Sequence, residues 1–486
     1  MAGLRVLTLA FWLAFPVAAA AQGLPSGVDP RDWRVSFIPG VTDPDGNLLN
    51  VTEVRQFAAF NGKLYAATGA WMDQGPDKGS AKVLRLDSAN GQWRQEADFG
   101  DGTTGGLVAL NWKQSESGAP VNVTTLVASI WSGATVFTKN NSDGQWYRTD
   151  LDPNGQIRAF ATWKDEDANK TWGFAGGKPG IFRGQLSDKR GAGKTIIKWE
   201  TGAANVELNT AALNLPLCSG GGRVTGFAAA RGRLFASACW NVYVRKDGDQ
   251  GGCAPSEVAD HGNACEPRWR LFWSDPLAAQ GESGIRGLTT VSIGGEQFLL
   301  AGAESAAAHI TRIDPMSAAA VIEFDVSNWL DNALGPTGYT IIPYNAPAPL
   351  WYGPDGVGRR IFGFEAWMPG EPSPGMARKL VNIDDGPPQV MLGEGMFFVR
   401  NAPSSFELHH IPAITPQPMT AVRDAIASPF PEECNAKGQD CVVYFGGFDA
   451  NKSVTQTPCL ASPCTFPPLV EVPTHDTGWI VKGKLD

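Results

Sequence analysis

The chain is poor in histidine, with five in 486 residues, and its eight cysteines include no Cys-x-x-Cys pair. That leaves little material for a cysteine-held zinc site, which takes four closely spaced Cys or His ligands. Basic residues are also in deficit, with 40 Lys and Arg against 49 Asp and Glu, a net charge of −9. Non-specific nucleic-acid binding depends on basic patches that neutralise phosphate, so this balance argues against nucleic acid as a partner. Helical periodicity is nearly absent, and only Ser317 to Leu330 has room for a turn or two. After the N-terminal segment there is no apolar run of the roughly 18 residues that a membrane span requires.

The N-terminus carries an export pattern. Arg5 precedes the apolar run Val6 to Val17, and the small residues Ala18 to Ala21 follow before Gln22. A charged start, an apolar core and a small-residue cleavage site are the three parts of a secretory signal. Residues 1–21 are therefore read as a removable signal, and 22–486 as a single exported domain, secreted or periplasmic. No transmembrane anchor would remain after cleavage. The cysteines suit an oxidising compartment and fall in sequence neighbours: Cys218 and Cys239, Cys253 and Cys265, Cys434 and Cys441, Cys459 and Cys464. Eight cysteines allow on the order of a hundred pairings, and pairing between neighbours is the simplest.

Fifty-seven glycines, 35 prolines and 17 tryptophans point to many short strands joined by turns. A short apolar phrase recurs through the chain: Val54 to Phe60, Thr104 to Leu110, Ile157 to Trp163, Val224 to Ala230, Ile285 to Val291 and, more weakly, Val422 to Ser428. Self-similarity at this spacing marks a repeat architecture. After the phrase come a turn, a second strand such as Leu64 to Gly69, a third such as Lys82 to Asp87, and a polar turn closing on Trp93 or Trp146. Four strands per repeat, repeated radially, make a β-propeller. The long gap before the last phrase holds another unit, with Tyr339 to Pro343, Arg360 to Phe364 and Met396 to Arg400. The expectation is an all-β, seven-bladed β-propeller of four-stranded antiparallel blades, with six or eight blades as the alternatives. Asp32 to Phe37 reads as a closing strand, and Trp479 to Lys484 as a third strand lacking a fourth. The N-terminal strand is therefore expected to close the ring.

The order Leu64 to Gly69, Leu86-Asp87, Gly91-Gln92-Trp93 resembles a kelch repeat, and Ser142-Asp143-Gly144-Gln145-Trp146 resembles a shortened Asp-box turn. The paired glycines of kelch blades appear only at Gly176-Gly177 and Gly446-Gly447. The resemblance implies architecture and carries no activity.

Aligned phrases bring residues to one end of the central channel. The second column reads Arg55, Gly105, Arg158, Thr225, Arg286 and Arg423, four arginines in an otherwise apolar phrase. Converging guanidiniums would make an anion site; ion pairs across blade junctions, with Glu53 and Asp424 as local partners, are the structural alternative. Trp71, Trp131, Trp240 and Trp367 follow second-strand ends and should share that face, either as stacking surfaces for sugars or as blade packing. Trp93, Trp146 and Trp269, on closing strands, read as packing. Asp73, Glu304, His309 and Glu365 are the candidate acid–base groups near that face, and lyase or glycoside hydrolase chemistry would use Glu304, Glu365 or His309. The leading expectation is a monomer that binds or cleaves an anionic carbohydrate, or a small anionic ligand, at the channel mouth. A non-catalytic scaffold for protein or cell-surface partners is the second reading, and a metal- or quinone-dependent oxidoreductase or lactonase the third. The sequence names no cofactor and no metal ligands. Asp43-Pro44-Asp45-Gly46-Asn47 has calcium-loop chemistry without the full loop pattern and reads as a turn.

Overall fold

Each recurring phrase forms the first strand of a separate antiparallel sheet in the computed structural model. The structure describes residues 33–70 and 79–202, most of 205–448, and 478–485. Outside it fall 1–32, 71–78, 248–251, 254–265, 279–283, 335–339, 345–348, 353–357, 370–376, 382–388, 449–477 and several shorter stretches. The expected signal, Trp71, Asp73, Cys265, Cys459 and Cys464 lie outside the described residues. For Cys253, Glu365 and Trp367 only the backbone is described.

Seven sheets follow in chain order. Blade 1 is built of Glu53–Phe60, Lys63–Gly69, Ser80–Leu86 and Arg94–Asp101. Blade 2 uses Thr104–Gln114, Pro120–Ile130, Ala134–Lys139 and Trp146–Asp152. Blade 3 uses Gln156–Asp165, Lys170–Lys178, Gly180–Leu186 and Ile197–Trp199. Blade 4 is Val224–Ala230, Arg233–Ala238, Asn241–Arg245 and Trp269–Ser274. Blade 5 is Gly284–Ile293, Glu296–Glu304, His309–Ile313 and Ala320–Asp325. Blade 6, the diverged one, is Thr340–Tyr344, Gly358–Pro369, Met396–Ala402 and Ser405–His410, with three short additional strands on its sheet. Blade 7 takes Ala421–Ala427, Val443–Phe448 and Ile480–Gly483 from the end of the chain and Arg34–Phe37 from its beginning. First strands of neighbouring blades pack on one another all the way round, so they line the axis.

The closing strand behaves as its sequence requires. Arg34 pairs with Lys482 and Val35 with Val481, antiparallel, which covers an edge that would otherwise stay open. Trp33 then packs against Phe397 of blade 6 and Phe445 of blade 7. Turns between first and second strands are tight: Asn61-Gly62 and Arg231-Gly232 both take positive φ, the two-residue hairpin geometry that matches strand twist. The helix lies at Val326–Leu334, later than the sequence periodicity suggests, because Ala320–Asp325 is spent as the fourth strand of blade 5.

Blade contacts explain why second strands carry small residues. A side chain at Gly446 would meet Phe57 within 2.9 Å, and one at Gly176 would meet Phe227 within 2.8 Å. At these two junctions the anchor aromatic of the following blade, Phe57 or Phe227, needs that space. Two disulfides add staples: Cys218–Cys239 closes a 21-residue separation at blade 4 and Cys434–Cys441 a 7-residue one at blade 7. Buried charge also joins blades. Arg245 of blade 4 is fully buried against Asp165 of blade 3 and Glu207, with Nη1–Oδ2 at 2.8 Å.

Candidate functional site at the channel mouth

The arginine column has a backbone cause. In blade 1, Val54 pairs with Thr68 and Gln56 with Ala67, which leaves Arg55 as an extra residue in a bulge. The same shift occurs around Arg158, Thr225, Arg286 and Arg423, and across Gly105-Gly106 in blade 2. A bulge breaks strict alternation and re-aims one side chain, so these residues leave the packed faces of their blades. Blade 2 carries glycine there because its neighbour leaves no room: a Cβ on Gly105 would sit 1.8 Å from the carbonyl oxygen of Ile157. Thr225 spends its hydroxyl on the blade 4–5 junction, donating to the Ile285 carbonyl at 2.6 Å.

Four other arginines bear on the charge of Arg158. Arg158 is half-buried, and its Nε donates to the Gln156 side-chain oxygen at 2.8 Å. Among the described residues it makes no ion pair. Burial pushes its pKa downward, and the charges that weigh most on it after burial are Arg223, Arg55, Arg286 and Arg423. The charge on Arg158 is thus disfavoured by each of the other three arginines of the column and by Arg223. That last residue was missed in the sequence because it precedes the blade 4 phrase and stands outside the aligned column.

Trp131 joins two of these arginines. It follows the second strand of blade 2, its backbone N–H donating to the Thr103 carbonyl at 2.8 Å. The guanidinium of Arg158 lies 4.0 Å from its ring centre and that of Arg55 4.7 Å. Indole faces attract guanidinium groups. Arg55 and Arg423, from adjacent blades, each lie 3.3 Å from an oxygen of the fully buried Glu53. Arg423 also covers Phe448 at 4.9 Å. Arg286 pairs with Glu304 at the end of its own blade's second strand. The arrangement therefore runs from Arg423 through Glu53, Arg55 and Trp131 to Arg158, across blades 7, 1, 2 and 3.

Other candidates fall elsewhere. Trp240 is 2 % exposed and packs with Cys239 and Ala303, so its surface is spent on the core. His309 is buried, its Nε2 2.8 Å from Asp275 and its Nδ1 2.7 Å from the Ala307 carbonyl. Burial lowers the His309 pKa, but the Asp275 hydrogen bond and charge outweigh it, and the net shift is upward. Glu365 pairs its backbone with Ile342 in blade 6. Asp424 turns its oxygens to the backbone N–H groups of Phe57, at 2.7 Å, and Ala425, at 2.8 Å. Trp93 and Trp269 are buried as packing residues, with indole N–H groups donating to Ser36 and Glu207 at 3.0 Å. Asp43 caps its own turn, accepting from the backbone of Asp45, Asn47 and Gln95. Among the described residues there is no cluster of three His, Cys, Asp or Glu side chains arranged for a metal ion. No helix among them is long and apolar enough to cross a membrane.

No protein-family description matches the sequence, and no curated protein matches it. Comparison with solved structures returns the Cps50 (Swd1) β-propeller domain of Myceliophteria thermophila, at 10 % identity and TM-score 0.36, covering 77 % of this chain and 98 % of that one. A structural genomics protein of unknown function from Bacteroides thetaiotaomicron matches at 12 % identity and TM-score 0.31, covering 60 % of this chain and 65 % of that one. Trypanosoma rangeli sialidase, in complex with sialic acid, matches at 10 % identity and TM-score 0.33, covering 95 % and 59 %. These likenesses are too distant to bear on function, and the strand pairing itself establishes the seven-bladed β-propeller.

Proposed function

We propose that this is an exported β-propeller that binds an anionic carbohydrate at one end of its central channel, through the bulge arginines. The observation that carries the reading is Arg158, half-buried, without an ion pair among the described residues, its guanidinium 4.0 Å from the centre of the Trp131 ring that Arg55 also approaches at 4.7 Å. Burying like charges together is costly unless a counter-charge is supplied, and guanidinium forks suit carboxylate and sulfate oxygens. Binding has more support than cleavage. Glu304 is engaged by Arg286, and His309 is buried between Asp275 and Ala307, so neither stands free as an acid or base. The two described disulfides and the export pattern of residues 1–21 favour an oxidising location outside the cytoplasm.

A panel of uronate-containing, sulfated and neutral polysaccharides tests this, with binding, ultraviolet absorbance of unsaturated products and reducing ends scored together. Binding confined to acidic glycans supports the reading. Product in either channel would extend it to catalysis, whereas equal affinity for neutral and acidic glycans, or no binding at all, would overturn it.

A further inference from the structure

The fourth strand of blade 5 runs directly into the helix Val326–Leu334, and a cavity of about 440 Å³ lies where they meet. Glu323, Phe324 and Asp325 line it from the strand, and Asn328, Trp329 and Asn332 from the helix. Resting on the reading above, we infer that this cavity is a second subsite for the same glycan and takes a neutral sugar ring, so that the ligand is a chain of mixed acidic and neutral units. Strand register relates the two places. Arg286 bulges between the Ile285–Ala303 and Gly287–Gly302 pairs, Ala303 pairs with His309, and His309 pairs with Asp325. Arg286 and Asp325 therefore stand at the same end of blade 5, on its first and fourth strands, about 14 Å apart at ordinary strand spacing. That span is within reach of one oligosaccharide.

The lining side chains are held in place. Asp325 caps the helix, its Oδ1 accepting the Asn328 backbone N–H at 2.9 Å, while Val326 donates its N–H to the Ala308 carbonyl at 2.9 Å. Asn328 and Asn332, one helical turn apart, are both exposed, and the Asn332 amide donates to the Asn328 side-chain oxygen at 3.3 Å. That one bond leaves amide donors and an amide oxygen over, the complement of hydroxyls that both accept and donate. Trp329 is half-buried beside them, with ring centres 5.4 Å from Phe398 and 6.5 Å from Phe324. An anchored indole next to placed polar groups suits the apolar face and hydroxyl rim of a sugar. Charge selects the kind of sugar. Among the described residues no basic side chain lines the cavity, and Glu323 is already held by Arg400 of blade 6 at 2.7 Å and by Arg312 at 2.5 Å. An acidic unit would meet Asp325 with no counter-charge, whereas a neutral ring meets only acceptors and donors.

Calorimetric titration tests this with two hexasaccharides, one alternating a uronic acid with a neutral N-acetylhexosamine and one made of uronic acid throughout. The proteins are wild type, Trp329→Ala, Asn328→Ala and Arg158→Gln. The affinity for the mixed chain relative to the uniform one should fall by about fivefold in Trp329→Ala and about threefold in Asn328→Ala. Arg158→Gln should weaken both chains by a similar factor, because it acts at the acidic units. Should Trp329→Ala fail to fold, the exposed Asn328 decides. A ratio that stays within about twofold of wild type in every folded variant of the cavity overturns this inference while sparing the anion site. Absence of binding by both hexasaccharides to wild type overturns the reading above and the inference with it.

Discussion

Asp424 stands one residue past the bulge of blade 7, its carboxylate buried where it accepts the Phe57 and Ala425 N–H groups. Burial pushes its pKa up to about 8, against the opposing pull of those two donors. In the unfolded chain the same group titrates near ~4. Between those values the folded protein holds the proton more tightly, so the stability Asp424 lends is full below pH ~4 and is lost as pH rises toward about 8. Melting temperature is therefore expected to fall between pH 5 and pH 8, and to fall less in Asp424→Asn; calorimetry at both pH values measures it. An equal fall in both proteins would move the effect to other groups. Gly105 makes a steric prediction. Its added Cβ would lie 1.8 Å from the Ile157 carbonyl, so Gly105→Ala must part the first strands of blades 2 and 3. A loss of roughly 3 kcal/mol is expected in denaturant unfolding, in the range of overpacking. A loss below about 0.5 kcal/mol, typical of unconstrained surface changes, would mean that the strands are not in contact as described. At this scale the sequence was informative only where the repeat aligned residues. Arg55, Arg158, Arg286 and Arg423 stood in one column, but Arg223 did not. Neither did Glu53 show that it would serve an arginine from the neighbouring blade as well as its own. Contacts between blades have no fixed spacing, so they leave no mark in the chain order.

Among elements, the N-terminal strand and the bulged first strands explain most of the fold. The apolar phrase announced first strands because its alternation is period two and because, in blades 1 and 4, an Asn-Gly or Arg-Gly turn follows it. The bulge was not visible, since one extra residue in a strand leaves the residue types unchanged. Blade 6 was hardest to read because its first strand, Thr340–Tyr344, is short and contains Pro343, and its second strand supports additional pairings. Deletion of residues 22–37 tests the closure. It removes Trp33 and the strand that covers Ile480–Gly483, and leaves an open edge on blade 7. Concentration-dependent aggregation, or loss of a single cooperative melt, is the expected result by light scattering and calorimetry. A truncated protein as stable and monodisperse as one that begins at residue 22 would contradict it. Cys218→Ser with Cys239→Ser probes a second tie. Closing a 21-residue separation should be worth about 3 kcal/mol through restriction of the unfolded chain, read as a shift in denaturant midpoint.

In the whole molecule, radial repetition converts one residue per blade into a ring of side chains around an axis. Five of the seven first strands bring a bulge residue of the column other than glycine to the same end, and four of these residues are arginine. On the proposed reading, the acidic overall charge of −9 would make binding there selective, because a polyanion is repelled elsewhere on the surface. Affinity for an acidic glycan should accordingly weaken as salt rises, since several charge contacts form at once. The most direct test of the account is a calorimetric titration of one acidic oligosaccharide into wild type and Arg158→Gln at fixed pH and ionic strength. Saturable binding by wild type and at least about tenfold weaker binding by the variant is the expected result. Equal affinities would contradict the claim that the channel-mouth arginines form the binding site.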